Sequence, residues 1–226
     1  MSAPEWSDPA HVEHYLALTR ENDWAVSADE ALLEHLPDGA GRILDLGTGD
    51  GRLPALLLAG SGTRPKGGVT RFGGSPERTV IGIDSSEPML AAASERFDGD
   101  DRVELLRHDL REPLPALGGF DAVVSSLAIH HLPDERKRSL YAEAFGLLVP
   151  GGLFANFEHV ASPSERLHRE FFAAIGEPLE WEDPSDRLLD VETQLRWLRE
   201  IGFVDVDCHW KWRELALLAG VKPVAP

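Results

Sequence analysis

The chain has 226 residues, a formal net charge of −17 and a single cysteine, Cys208. One cysteine excludes an internal disulfide framework, and 39 acidic against 22 basic residues repel phosphate backbones, so nucleic acid is not the expected partner. No apolar run reaches the length of a membrane span and the first residues lack the basic and apolar blocks of a leader. The expectation is therefore a cytoplasmic protein with no membrane contact, and a homodimer is left open.

Residues 1–40 read as acidic and helical. "DPAHVEHYLALTREND" places a proline just after Asp8, as a helix start does, and "SADEALLEHLPDGAG" carries Ser27 and Glu30 at capping-box spacing before a Pro-Asp-Gly turn. "RILDLG" has the pattern of a buried strand and "GRLPALLLAG" that of a helix. "SGTRPKGGVTRFGGSPER" is rich in Gly and Pro and has no periodicity, so it is a loop. It is long for a connection, and its charges (Arg64, Lys66, Arg71, Arg78) oppose those of the rest of the chain. The simpler reading is a solvated insertion; the sharper one is a flap over an acidic ligand.

Beyond the loop, strand and helix patterns alternate. "TVIGID", "VELLRHDL", "FDAVVSS" and "LFANFEHV" read as strands, while "SEPMLAAASERF", "PDERKRSLYAEAFGLL", "PSERLHREFFAAIG" and "DVETQLRWLREIG" read as helices, the last two closed by Gly176 and Gly202. "FVDVDCHW" and "RELALLAGV" end the pattern too close together for a crossover, so they form an antiparallel hairpin. The expected fold class is α/β: a doubly wound, mostly parallel seven-stranded sheet with that C-terminal hairpin and helices on both faces. Residues 1–40 form an N-terminal helical lid on a domain of residues 41–226, with the basic loop at 60–79 and a substrate lid at 161–190.

In such sheets ligands bind at the carboxyl ends of the strands. The first strand-to-helix turn holds Gly47, Gly49 and Gly51, where the backbone can bend sharply and approach a ligand closely. A dinucleotide fingerprint needs a third glycine where Arg52 stands, so that fingerprint fails. Acidic neighbours at the turn suit a cationic ligand better than a pyrophosphate. The run Asp45-Leu46-Gly47-Thr48-Gly49-Asp50-Gly51 instead resembles the first motif, D/E-x-G-x-G-x-G, of class I S-adenosylmethionine (SAM)-dependent methyltransferases.

The resemblance implies SAM as cofactor, with the glycine backbone against its methionine part. It also implies that Asp84, at the end of "VIGID", accepts from the ribose hydroxyls, that Met89 packs on the adenine, and that Asp109, in "RHDLREP", meets the adenine amino group. Thr48, Ser85, Leu110 and Ser126 complete the implied cofactor set. "GFDAVVSSLAIHHLPD" and "LLVPGGLFAN" match the family's fourth-strand segment and its turn into the fifth strand. Asp84 lies beyond the usual spacing of ~20 residues from the glycine turn, and the basic loop accounts for the excess.

His130 and His131 suggest a metal or a base. On an extended segment neighbours point to opposite sides, and no Cys or carboxylate cluster is evident in sequence, so no metal is expected. A structural or cofactor-covering role is the simpler reading for the pair; if one is the base, the choice is His131. Phe171, Phe172 and Trp181, with His159 and His168 near them, read first as a helix packed on the sheet and second as a substrate lid. The resemblance implies that the N-terminal segment holding Tyr15, Arg20 and Trp24 closes over the cofactor. Trp210 and Trp212 suit packing in the final hairpin, and Cys208 an inert core position.

The leading expectation is an enzyme moving a methyl group to an O, N or C atom of a small molecule. One alternative is an enzyme similar to carboxy-SAM synthase, which uses an arginine to hold the extra carboxylate; Arg187 and Arg199 are the candidates for that role. The other is a non-catalytic partner protein of the same fold.

Overall fold

The computed structural model describes residues 23–59 and 78–224. Tyr15, Arg20, Arg64, Lys66 and Arg71, the first predicted helix and nearly all of the predicted basic loop lie outside the described residues, as do the side chains of Trp24 and Trp181.

Five strands run parallel: β1 (Arg42–Leu46), β2 (Thr79–Asp84), β3 (Val103–Arg107), β4 (Phe120–Ser126) and β5 (Leu148–His159). The hairpin of β6 (Val204–Trp212) and β7 (Leu215–Val221) adds to the β5 edge, with β7 antiparallel to both neighbours. The sheet order is β3-β2-β1-β4-β5-β7-β6. The chain reverses its direction of travel across the sheet between β1 and β4, which makes that the switch point where an α/β sheet opens a crevice.

Alternation within the strands divides the core in two. Ile43, Val80, Ala122, Val124, Ala155 and Phe157 face one layer. Helices α1 (Asp23–His35), α2 (Arg52–Ala59) and α5 (Glu165–Ile175) cover it with Leu32, Leu57, Phe171 and Phe172. Leu44, Ile81, Ile83, Val123 and Phe154 face the other layer, covered by α4 (Asp134–Leu147) and α6 (Val191–Ile201) through Leu140, Tyr141 and Leu198. The sixth helix, α3 (Glu87–Arg96), lies along β2 and β3.

The described part of the predicted N-terminal lid is a wall of the core. Ala28 and Leu32, one helical turn apart, are fully buried against the sheet. Ser27 does not start a helix, because the segment from Asp23 is already helical and Ser27 falls inside it. A capping residue acts only where the chain upstream turns away from the helix axis. Gly176 and Gly202 do end α5 and α6 in left-handed conformations, as predicted.

Candidate active site

Because β1 to β4 are parallel, the loops at their carboxyl ends meet at one edge of the sheet. They enclose a cleft lined by Gly47 and Gly49 after β1, Asp84 and Ser85 after β2, Asp109 to Arg111 after β3, and Ser126 to Ala128 with His131 and Leu132 after β4. Met89 of α3 closes its floor. The predicted residues Gly47, Gly49, Asp84, Ser85, Met89, Asp109, Leu110, Ser126 and His131 are therefore brought together. Asp45, Thr48 and Gly51 do not line the cleft; Asp45 is buried in β1, and the turn is held by Thr48 N–H donating to Ile83 O and Gly51 N–H donating to Thr48 O.

The glycines have separate tasks. Gly47 has φ +74°, and a Cβ there would lie 2.2 Å from the Cβ of Ala128. It is the point where the turn after β1 presses on the exit of β4. Gly51, at φ +79°, receives the ring of Phe97, which a Cβ would meet at 2.5 Å. Gly49 is the more open of the two glycines that line the cleft, with nothing but Met89 Sδ, at 3.9 Å, near the position of a Cβ.

Asp84 clamps this turn to β2. Its Oδ2 accepts from the Gly49 N–H at 2.9 Å and its Oδ1 from the Ser86 N–H at 2.8 Å. Burial raises its pKa, and the backbone donors oppose that shift. Asp45 is more extreme. It is 1 % exposed, neither carboxylate oxygen has a hydrogen-bond partner, and burial pushes its pKa up to about 7. The neighbouring Thr48 and Arg52 offset part of that rise. At the β3 end of the cleft, Asp109 is held by Arg111 in a bidentate pair at 2.7 and 3.0 Å, which keeps its pKa low despite partial burial.

At the opposite end, Ser126 accepts from Arg52 at 3.1 Å, and Arg52 also pairs with Asp29 of α1. The arginine in the place of the missing third glycine thus ties the N-terminal helix to the exit of β4. Leu127 follows at φ +52°, a conformation that costs a non-glycine residue about 1–3 kcal/mol, and its N–H is held by Phe157 O at 2.8 Å.

The premise used for the two histidines fails here. Ile129–His131 is a 3₁₀ turn, and the rings of His130 and His131 stand 4.0 Å apart. A carboxylate that sequence did not single out completes the group. Asp186 Oδ1 lies 3.3 Å from His131 Nδ1 and 3.5 Å from His130 Nε2. Asp186 reaches them because the 182–190 segment is pinned to the turn: Arg187 N–H donates to His130 O at 2.9 Å, and Lys137 bonds Arg187 O. Behind this group, His130 Nδ1 meets Glu158 Oε1 at 2.6 Å, and Asn156 holds the other Glu158 oxygen at 3.1 Å. His159 sits between Asp186 at 3.4 Å and Glu214 at 3.0 Å. Burial alone would lower its pKa, but these two carboxylates overcome that and raise it to about 9. Burial and the neighbouring His130 hold His131 well below the usual histidine range.

Other side chains take their simpler roles. Phe171 and Phe172 are buried against the sheet, so they are packing rather than cleft wall. Trp210 and Trp212 lean on the same layer. Cys208 is half-buried with its thiol pKa raised by burial. Arg78, the described member of the basic set, donates to Ala40 O and Leu57 O at 3.1 and 2.6 Å, so it braces the core instead of a ligand.

A methyltransferase-domain family model matches residues 43–152. The chain is similar to the trans-aconitate 2-methyltransferase of Azoarcus sp. (strain BH72), with 32% identity over 173 residues, covering 74% of this chain and 56% of that protein. It thus spans little more than half the length of that relative. It is also similar to the carboxy-S-adenosyl-L-methionine synthase of Desulforapulum autotrophicum, with 27% identity over 208 residues, covering 81% of this chain and 76% of that protein. Among solved structures, an O-methyltransferase family protein from Burkholderia thailandensis matches the fold with a TM-score of 0.69 at 17% identity, over 98% of this chain and 62% of that one. Residues 43–152 thus match a methyltransferase domain, and the chain is similar to class I SAM-dependent methyltransferases in sequence and in fold.

Proposed function

We propose that this chain transfers the methyl group of SAM to an oxygen, nitrogen or carbon atom of a small molecule. The observation that carries the reading is the cleft itself, in which Gly49, Asp84, Met89 and Asp109 stand in order along the carboxyl ends of β1 to β3. The residues present fit the cofactor. The open space at Gly49 admits a chain against the backbone. A carboxylate offers about four acceptor sites, so Asp84 has capacity for ribose hydroxyls beyond its backbone donors. Met89 offers an apolar surface to an adenine, and Asp109 an acceptor to its amino group.

When bound, SAM supplies a methyl group on a sulfonium sulfur, open to in-line displacement. The chain's own task is alignment and exclusion of water. Leu110, Leu127 and Leu132 give the cleft apolar walls. His131, on the β4 side, is assigned to the acceptor. The acidic surface supports a small-molecule acceptor over a polyanion, and the composition supports a cytoplasmic setting.

Similarity to carboxy-SAM synthase supports a second reading. Its expected arginine is not supplied by Arg187 or Arg199, neither of which lines the cleft; Arg199 instead donates to Val206 O at 2.9 Å. Native mass spectrometry separates the readings by the nucleoside retained. Calorimetry is expected to show binding of S-adenosylhomocysteine and none of NAD. Asp84→Ala should weaken S-adenosylhomocysteine by roughly 1.5–3 kcal/mol, the scale of hydrogen bonds to a charged group. Uptake of NAD without S-adenosylhomocysteine would refute the proposal.

A further inference from the structure

The group at the β4 exit has a feature that hydrogen bonding leaves unresolved. A carboxylate only accepts, so the 2.6 Å contact with Glu158 places a proton on His130 Nδ1 and leaves Nε2 as the ligand atom. That nitrogen is aimed at Asp186 Oδ1 from 3.5 Å, beyond hydrogen-bond range. Asp186 Oδ1 is buried and has no hydrogen-bond partner. His131 Nδ1 approaches the same oxygen at 3.3 Å. Ligand atoms of the three residues all lie within 4.8 Å of one another. Two imidazoles thus flank one orphaned carboxylate oxygen.

We infer that His130 Nε2, His131 Nδ1 and Asp186 Oδ1 form a binding site for a divalent transition-metal ion. Two of its edges suit one: bonds of ~2.1 Å at tetrahedral angles set neighbouring ligand atoms ~3.4 Å apart, against 3.3 and 3.5 Å from Asp186 Oδ1 to the two imidazoles. The donor set selects the ion. Two imidazoles and one carboxylate favour Zn²⁺, Fe²⁺ or Co²⁺ over Mg²⁺ and Ca²⁺, which prefer oxygen alone. The support behind the ligands also fits, since ligating histidines commonly donate their other N–H to a carboxylate, as His130 does to Glu158. Asp186 Oδ2 is backed in turn by His159 at 3.4 Å. Ser185 Oγ donates to Asp183 Oδ1 at 2.7 Å and so accepts from His131 Nδ1–H at 2.9 Å; an ion displaces this contact and moves the His131 proton to Nε2.

Three protein ligands leave coordination positions open, and His131 belongs to the cleft wall. The ion lies at the acceptor end of the cleft, where a hydroxyl or carboxylate of the acceptor enters its open positions and is held and polarised. That placement rests on the methyl-transfer reading; the binding of the ion does not.

The test uses the full chain without a histidine tag, stripped with a chelator and titrated with Co²⁺. Visible absorption and calorimetry are the readouts, with S-adenosylhomocysteine binding measured separately. Uptake of about one Co²⁺ per chain with ligand-field bands of a nitrogen–oxygen site, displaced by Zn²⁺, is expected. His130→Ala and Asp186→Asn should each lose at least about tenfold in Co²⁺ affinity while keeping S-adenosylhomocysteine binding, which also shows that they fold. Glu158→Gln should weaken Co²⁺ about 10–100-fold. A chain that binds S-adenosylhomocysteine but takes up no Co²⁺, or binds it unchanged in Asp186→Asn, overturns the metal site and leaves the methyl-transfer reading standing. Uptake of Co²⁺ without S-adenosylhomocysteine supports the site and refutes the cofactor.

Discussion

Asp45 sits in the middle of an apolar strand with both carboxylate oxygens unpartnered, and burial raises its pKa to about 7. The consequence is a stability that falls with pH. Below about pH 4 the carboxyl is protonated in folded and unfolded chains alike, and the site costs little. Between about 4 and 7 the unfolded chain ionises while the folded chain keeps its proton, so each step up in pH favours unfolding. Above about 7 both states are ionised and the penalty is complete. A shift of about three pKa units corresponds to roughly 4 kcal/mol. Asp45→Asn has nearly the same shape and no titration. Urea denaturation of both proteins at pH 5 and pH 8 should show the variant gaining on the wild type at the higher pH by roughly 2.7 kcal/mol, the two pKa units that lie between pH 5 and pH 7. An equal difference at both pH values would mean that Asp45 is ionised throughout and stabilised by something other than the groups around it.

At the scale of elements, the glycine turn is the joint between two strands that are neighbours in the sheet. Gly47 makes that joint possible twice over, by its φ of +74° and by its closeness to Ala128. Gly47→Ala therefore carries a torsional cost of about 1–2 kcal/mol and an overpacking cost of about 1–3 kcal/mol. Ala128→Gly removes the second and not the first. The double variant should recover the overpacking share in chemical denaturation and keep the torsional share; no recovery would place the strain elsewhere. This turn was legible in the sequence because glycines at alternate positions between two apolar runs have few other uses. The strands were legible too, since parallel strands buried on both faces read as unbroken apolar runs, and α5 and α6 announced their ends with Gly176 and Gly202. Other features were not. Ser27 has the spacing of a cap, but spacing does not reveal that the chain upstream stays helical. The pair His130 and His131 was visible, yet its geometry depends on a 3₁₀ turn that leaves no periodicity. Asp186 reaches it from a segment far along the chain, by contacts to Arg187 that no local pattern encodes. The division of labour at the turn was equally hidden: that Thr48 and Gly51 shape the turn while Gly47 and Gly49 line the cleft depends on which neighbours each one meets.

The order of the strands in the sheet was not legible in the sequence, because periodicity identifies strands without ordering them. The order matters for binding: four loops from four strands meet at one ligand, so occupancy must act on the stability of the whole molecule. At a concentration ~100 times its dissociation constant, S-adenosylhomocysteine bound only by the folded chain adds ~2.7 kcal/mol. For a chain of this size each kcal/mol raises the Tm by roughly 2–4 °C, so a rise of roughly 5–11 °C is expected by calorimetry. Asp84→Ala at the same ligand concentration is a sharper form of the test. A loss of roughly 1.5–3 kcal/mol in binding brings the ligand close to its new dissociation constant, and the logarithm in the linkage relation then leaves no more than about half of the original stabilisation. A Tm shift that survives in Asp84→Ala would mean that the ligand is held without the end of β2, and that the loops of the parallel strands do not act as one site.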